Sequence, residues 1–150
     1  LVEELGGFQE LHEAIPELAA TLDRASFQRF KRAMIRDLVQ IVAKLHRFGF
    51  FHKDLYLCHF LLERSSRSAE EPRLALIDLH RLGQHAWFPQ RWRWKDLGQL
   101  LFSSYGVDGI DDRDRLRFWT LYRKRLGLRA PRWQMRAIRR KASRYLSHNR

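Results

Sequence analysis

Between Ser26 and Gly49 the chain carries an apolar stripe that only a long, broadly buried helix satisfies. Phe27, Phe30, Met34, Leu38, Ile41, Leu45 and Phe48 recur at spacings of three and four, and Ile35 and Val42 widen the stripe. Ser26 is placed to cap its start and Gly49 to end it. A helix of that length must run through the core, so the other elements have to pack around it. With 150 residues, 45% of them apolar and ten Phe, five Trp and four Tyr among them, the chain suits one domain with a core of its own.

The remaining elements are shorter. Gly6 and Gly7 break a possible strand end at residues 1–5, and a helical stretch is predicted over about Phe8–Leu22, with Pro16 as a boundary or kink. Leu61–Glu63 and Leu74–Ile77 are apolar runs separated by a polar loop, the pattern of a small β-pair. Trp94, Leu97, Leu100 and Leu101 predict a buried helix over about Trp92–Ser104. Asp111 or Asp112 caps a further helix that ends at Gly127, and Pro131 opens a last one with Trp133, Ala137, Ile138 and Tyr145 on one side. The reading is mainly α with a small β-pair, and no internal repeat.

Charge is unevenly placed. Residues 113–150 hold 14 Lys or Arg against a single acid, Asp114, whereas residues 1–112 hold 15 basic and 16 acidic side chains, so the net +12 sits in the basic helical end. That end suits an anionic partner (membrane headgroups, a phosphorylated glycan or nucleic acid), or it is simply a solvated helical surface. Arg132, Arg136, Arg139, Arg140 and Arg144 are the side chains that would carry such contacts. No zinc pattern or RNA-binding aromatic signature accompanies them, so peripheral contact with an anionic membrane is preferred over nucleic acid. A single cysteine, Cys58, fits a reducing compartment, and there is neither a basic-then-apolar leader nor an apolar run of about 18 residues. The expected location is cytoplasmic, peripheral at the inner face of an inner membrane.

Polar residues that interrupt apolar runs carry the chemistry. In Phe51-His52-Lys53-Asp54-Leu55-Tyr56-Leu57-Cys58-His59-Phe60 they lie between the long helix and the first strand. In Leu76-Ile77-Asp78-Leu79-His80-Arg81 an acid directly follows the second strand. Two loops at one end of a β-pair would bring Asp54, His59 and Asp78 close together. Phosphoryl transfer uses such an inventory: one carboxylate to orient the attacking hydroxyl and take its proton, another to hold a divalent metal against the phosphates. A lone Asp in a loop is more often a turn or cap, and these two escape that reading through their shared setting. Cys58 reads as a small core residue, and Trp92, Trp94 and Trp119 as core aromatics. Lys53 is placed either near the transferred phosphate or in solvent, and His80 and Arg81 either on phosphate or on a neighbouring acid.

His52-Lys53-Asp54 and Asp78-Leu79-His80 resemble the H-R-D and D-F-G patterns of protein kinases. A closer resemblance is to the Kdo/WaaP lipopolysaccharide kinase family, carried by HKDLYLCHFLL, LIDLHR and RWKDLGQLLFSS in that order. The catalytic loop departs from the family pattern H-R-D-x-Y-x-C-H-F-L-L only in Lys53. The resemblance implies the C-terminal lobe of a protein-kinase-like fold over residues 1–150, with the N-terminal lobe apparently absent. It divides the chain into a hinge-like segment at 1–7, catalytic and metal loops at 51–81 and the basic helical end at 113–150. It implies ATP and Mg²⁺ as cofactors and a sugar hydroxyl of the lipopolysaccharide core, Kdo or heptose, as acceptor.

Under the same resemblance Asp54 is the catalytic base with Lys53 beside it, and Asp78 the principal metal ligand. His59 stands where protein kinases place an Asn that binds metal; imidazole is a poorer partner for hard Mg²⁺, so it binds metal, reaches phosphate or merely packs. His52 and Asp96 are structural supports, Asp96 by accepting backbone N–H bonds from the catalytic loop. The backbone of Glu3, Glu4 and Leu5 would meet adenine. Only 18 residues separate Asp78 from Asp96, too few for a peptide-docking activation segment, which favours a small acceptor over protein. No Gly-rich phosphate loop or strand lysine precedes Asp54. Alone, the chain is expected to show little kinase activity; the alternative is a non-catalytic, pseudokinase-like or anion-binding module.

Overall fold

The computed structural model describes residues 6–67, 71–129 and 132–148. Glu3, Glu4 and Leu5, read as a hinge, and Pro131 lie outside the described residues. Five helices and five short strands follow in the order β1 (Phe8–Glu10), α1 (Leu11–Thr21), α2 (Arg24–Arg47), β2 (Phe50–Phe51), β3 (Phe60–Glu63), β4 (Leu74–Leu76), β5 (Gly83–Gln84), α3 (Pro89–Ser104), α4 (Asp112–Leu126) and α5 (Arg132–His148). The chain is thus mainly helical with little sheet.

The long helix is present and starts earlier than its stripe suggested. Asp23, not Ser26, is the cap: its carboxylate accepts the Ser26 N–H at 3.1 Å, so Ser26 already lies in the first turn. Gly49, at φ +75°, takes the left-handed turn after the C-terminus. The buried face runs through Phe30, Met34, Leu38, Val42 and His46, and Phe48, at the end of the apolar stripe, is 60% exposed. Lys31 is also buried, where its amine bonds Asp114 at 2.5 Å and the Gly109 carbonyl at 2.9 Å. These contacts fasten α2 to the start of α4, which Asp111 and Asp114 close with reciprocal capping bonds. Asp114, the only acid of the basic end, is therefore spent inside the fold.

The expected helix over Phe8–Leu22 is corrected at its start. Phe8–Glu10 is a strand paired antiparallel to β3, with Gln9 opposite Leu62, and only Leu11–Thr21 is helical. Nothing local distinguishes the two conformations; the free edge of β3 supplies hydrogen bonds that the sequence window cannot show. Pro16 neither ends nor bounds α1, which runs on to Thr21. The predicted pair is β3 with β4, in a three-stranded sheet of order β1-β3-β4. A second antiparallel pair, β2 with β5, went unread because each strand has two residues.

Helix α2 packs on α4 and α3 packs on α5. Phe30, Leu38, Val42, Leu55, Phe60, Leu62, Leu97 and Tyr122 meet in one apolar core, each such side chain contributing about 1.5–3 kcal/mol on burial. Gly98 allows the close approach of α5: a Cβ there would sit 2.9 Å from the Lys141 Cβ and 3.5 Å from the Ala142 backbone nitrogen.

Candidate active site

Two antiparallel pairings clamp the polar loops side by side. β2 leads into His52 while β5 follows Arg81, with Phe51 opposite Gly83. β3 follows His59 while β4 leads into Ile77, with Phe60 opposite Leu76 and the Ile77 N–H on the His59 carbonyl at 2.9 Å. Residues 52–59 and 77–82 are thereby held at both ends. The first residues of the two loops are also joined: the His52 imidazole Nε2–H donates to the Ile77 carbonyl at 2.9 Å.

One face of α3 then orders the first loop atom by atom. The Asp96 carboxylate, fully buried, accepts the N–H groups of His52 and Lys53, each at 2.8 Å. Gln99 Oε1 accepts the Leu55 N–H at 3.1 Å, and Ser103 Oγ accepts the Leu57 N–H at 2.9 Å. Positions 96, 99 and 103 share one helical face, so a single rigid element satisfies four otherwise unpaired backbone donors. These bonds hold Lys53 at φ +71°, a left-handed conformation that costs a side-chain-bearing residue about 1 kcal/mol or more.

Behind Asp96 lies a chain of buried polar groups. His46 Nε2 is 3.1 Å from Asp96 Oδ2, and His46 Nδ1 is 2.6 Å from the Tyr122 hydroxyl. Burial pushes the His46 imidazole below its usual pKa, outweighing the pull of Asp96 in the other direction. Burial likewise pushes the Tyr122 phenol up. The contact is therefore a hydrogen bond from neutral imidazole rather than an ion pair: Tyr122 O–H donates to Nδ1, and Nε2–H donates to Asp96.

The structure brings Asp54, His59, Asp78, His80 and Arg81 together at the loop surface. His59 Nδ1 lies 2.7 Å from the Asp54 carbonyl, so that nitrogen carries the proton and donates. Its Nε2 faces Asp78 Oδ2 at 3.4 Å, while His80 Nδ1 sits on Asp78 Oδ1. In the neutral ring, Nε2 and the carboxylate oxygen are two lone-pair donors turned toward each other. Such a pair fits a cation between them, or a proton on Nε2. Asp78 itself is left-handed at φ +62°, a conformation Asp tolerates better than most residues. Arg81 Nη1 donates to Asp54 Oδ2 at 2.6 Å, so the guanidinium rests on an acid. The Lys53 amine is not in bulk solvent: it lies 5.2 Å from the centre of the Trp92 ring. His52 is fully buried, as is Asp96.

A model of the lipopolysaccharide kinase (Kdo/WaaP) family matches residues 1–122. The chain belongs to that family. Among its relatives, the lipopolysaccharide core heptose(I) kinase WaaP of Pseudomonas aeruginosa is 41% identical over 120 residues, covering 73% of this chain and 44% of its own length. The corresponding WaaP of Escherichia coli K12 is 43% identical over 95 residues, covering 63% of this chain and 36% of its own. The chain thus spans less than half the length of the curated relatives it matches. A solved structure, WaaP in complex with acyl carrier protein, superposes with a TM-score of 0.74 at 33% identity, over 93% of this chain and 58% of that one.

Several side chains that build this family member's site escaped the sequence reading. His46 sits inside the α2 stripe, four residues after Val42, and a polar residue at a buried position was the available signal. Gln99 and Ser103 extend the face of Asp96 at helical spacing, which also was there to be read. Tyr122 gave no signal, since an aromatic at that spacing reads as core. Trp92, taken for core, is only half-buried, with His85 stacked on it at 4.5 Å.

Proposed function

We propose that the chain supplies the catalytic half of an ATP-dependent kinase that phosphorylates a sugar hydroxyl of the lipopolysaccharide core, heptose or Kdo. The observation that carries this is the convergence of two loops, clamped by two strand pairs, on Asp54 and Asp78 in a member of the Kdo/WaaP family. The relatives named as heptose(I) kinases favour heptose over Kdo.

Asp54 is the group that meets the acceptor. Its carboxylate orients the sugar hydroxyl and takes its proton as that oxygen bonds to the γ-phosphorus, the bond to ADP breaking with its electrons on the departing oxygen. Arg81 donates to Asp54 Oδ2 and so puts a positive charge beside that acid. Asp78, with His59 beside it, would hold a divalent cation, Mg²⁺ by the chemistry of kinases, and that ion would neutralise phosphate charge. His52 and Asp96 support the loop: Asp96 fixes the two N–H groups that precede Asp54, and His52 ties it to Ile77. We assign the chain to the C-terminal lobe of a kinase-like fold.

A second element of the proposal concerns place. The exposed Arg132, Arg136, Arg139, Arg140 and Arg144 of α5 make no ion pair among the described residues, and α5 packs on α3, the helix that orders the loop of Asp54, through its other, buried face. This favours peripheral contact with the inner face of an anionic membrane, where a lipid-linked acceptor lies; nucleic acid is the weaker partner. The described helices include none long and apolar enough to cross a membrane.

The deciding experiment uses the full-length gene product with ATP, Mg²⁺ and core oligosaccharide. Asp54→Asn and Asp78→Asn should each lower phosphate transfer by about a hundredfold or more with the thermal midpoint little changed. Retention of most turnover in either variant would sink the assignment and leave a non-catalytic, anion-binding module.

A further inference from the structure

Three cations gather on one ring beside Asp54. The Lys53 amine lies 5.2 Å, the Arg91 guanidinium 5.5 Å and the Lys95 amine 5.8 Å from the centre of Trp92. The ring is itself backed by His85, stacked at 4.5 Å and 19°. None of the three cations forms an ion pair or side-chain hydrogen bond with an acid among the described residues. Asp54 is taken by Arg81, and Asp96 is buried on backbone N–H groups.

This is a built arrangement rather than a solvated charged face. Trp92, Lys53 and Lys95 are all half-buried. Burial, together with the positive charge of Arg81 and Lys53, pushes the Lys95 amine below its usual pKa, with Asp54 and Asp96 opposing. Lys95 and Lys53 thus carry like charges that feel one another, while cation–π contacts of about 0.5–2 kcal/mol each hold the three cations at the ring. Gly83 shows the same accommodation. A Cβ at that position would stand 2.7 Å from the Lys53 amine, so the absence of a side chain at Gly83 is what admits the lysine to this place. An anion entering beside the ring would relieve the repulsion that Lys95 feels from Arg81 and Lys53. The cluster touches the Asp54 side of the site: Lys53 is its sequence neighbour, and Lys95 feels its charge. No hydrogen bond, ion pair or ring contact joins it to Asp78 or His59 among the described residues.

We infer that Lys53, Arg91 and Lys95, mounted on Trp92, form a subsite for an anionic substituent of the acceptor sugar, a carboxylate or a phosphate adjoining the hydroxyl that Asp54 meets. The inference rests on the sugar-kinase reading and deepens it. The subsite selects acidic acceptors by binding them more tightly, in the ground state and the transition state alike. A sugar acid such as Kdo offers the carboxylate, and a phosphorylated core offers the other source.

The test uses the full-length protein and three acceptors: native core oligosaccharide, the same with its carboxyl groups reduced to alcohols, and the same after dephosphorylation. The unmodified protein should prefer native acceptor over one of the altered forms by about tenfold in kcat/KM, and which form loses identifies the anion. Lys95→Gln and Arg91→Gln should each erase that preference by raising KM for native acceptor, with kcat and KM for ATP within about twofold of the parent. Arg91 is exposed, so its variant does not put the fold at risk. Equal losses on native and altered acceptors, or a raised KM for ATP instead, would overturn the subsite. If no sugar is phosphorylated at all, the sugar-kinase reading fails, and direct binding then decides the inference. Tryptophan emission titrated with Kdo and with inorganic phosphate should change saturably, with about tenfold weaker binding in Lys95→Gln. No saturable change, or the same titration in the variant, would end it.

Discussion

His46 shows how a single buried side chain couples the loop at residues 52–59 to the helical core. Its ring donates to Asp96 and accepts from Tyr122, so the carboxylate that holds the His52 and Lys53 N–H groups is itself held. Because burial depresses the His46 pKa below its ordinary 6.5, the unfolded chain binds more protons than the folded one as pH falls below that value. The stabilising contribution is complete above about pH 6.5 and is lost as pH falls toward the depressed folded pKa. The thermal midpoint should therefore drop between pH 7.5 and 5.5, and His46→Gln should flatten that dependence while lowering the midpoint at pH 7.5. An equally steep profile in the variant would assign the acid sensitivity to another group.

Among the elements, α3 has the most separate duties. Its Asp96 face orders the loop, its N-terminal turns carry Arg91, Trp92 and Lys95, and Gly98 seats α5. Gly98→Ala removes a helix-weakening residue, which by itself would favour the helix by about 0.8–1.0 kcal/mol. The added methyl meets the Lys141 Cβ at 2.9 Å, however, with α5 backbone just behind it, so neither helix gives way by a side-chain rotation alone. Overpacking of this kind costs about 1–3 kcal/mol, and the clash should win. Denaturant unfolding should show a net loss of about 1–2 kcal/mol for Gly98→Ala. Hydrogen exchange should rise in α5 and much less in α2, which packs on α4 instead. A stabilised variant would mean that α5 slides along α3 without loss.

At the scale of the whole molecule, charge and fold are partitioned differently. The positive excess falls on residues 113–150, mostly in α4 and α5, but Asp114 and Lys31 are withdrawn into the core and the α5 arginines stay outside. Exposed basic residues near an anionic bilayer are worth about 1 kcal/mol each and are screened within about 10 Å at 0.1 M salt. Vesicles containing anionic lipid should accordingly retain the protein at low salt and release it as salt rises. Arg136→Gln with Arg140→Gln should weaken retention by about tenfold or more without altering the fold. Salt-independent retention, or retention by neutral vesicles alone, would remove the electrostatic account of membrane contact.

What the sequence determined by itself was whatever repeats or clusters within a short window. The α2 stripe, the β3–β4 runs, the Gly127 stop and the three motifs around Asp54, Asp78 and Asp96 were legible because periodicity, turn chemistry and spacing are local. The helical assignment of Phe8–Glu10 failed where a distant strand edge supplied the hydrogen bonds, and the two-residue β2–β5 pair was too short to leave a pattern. Only the tertiary structure decided that Gln99 and Ser103 satisfy loop amides and that His46 and Tyr122 stand behind Asp96. It also decided that Lys53 leaves solvent for the Trp92 ring. Each of these joins residues tens of positions apart, and a buried donor or cation takes whichever partner the packing of helices brings within about 3–6 Å. Proximity of that kind is a property of the folded core and has no counterpart along the chain.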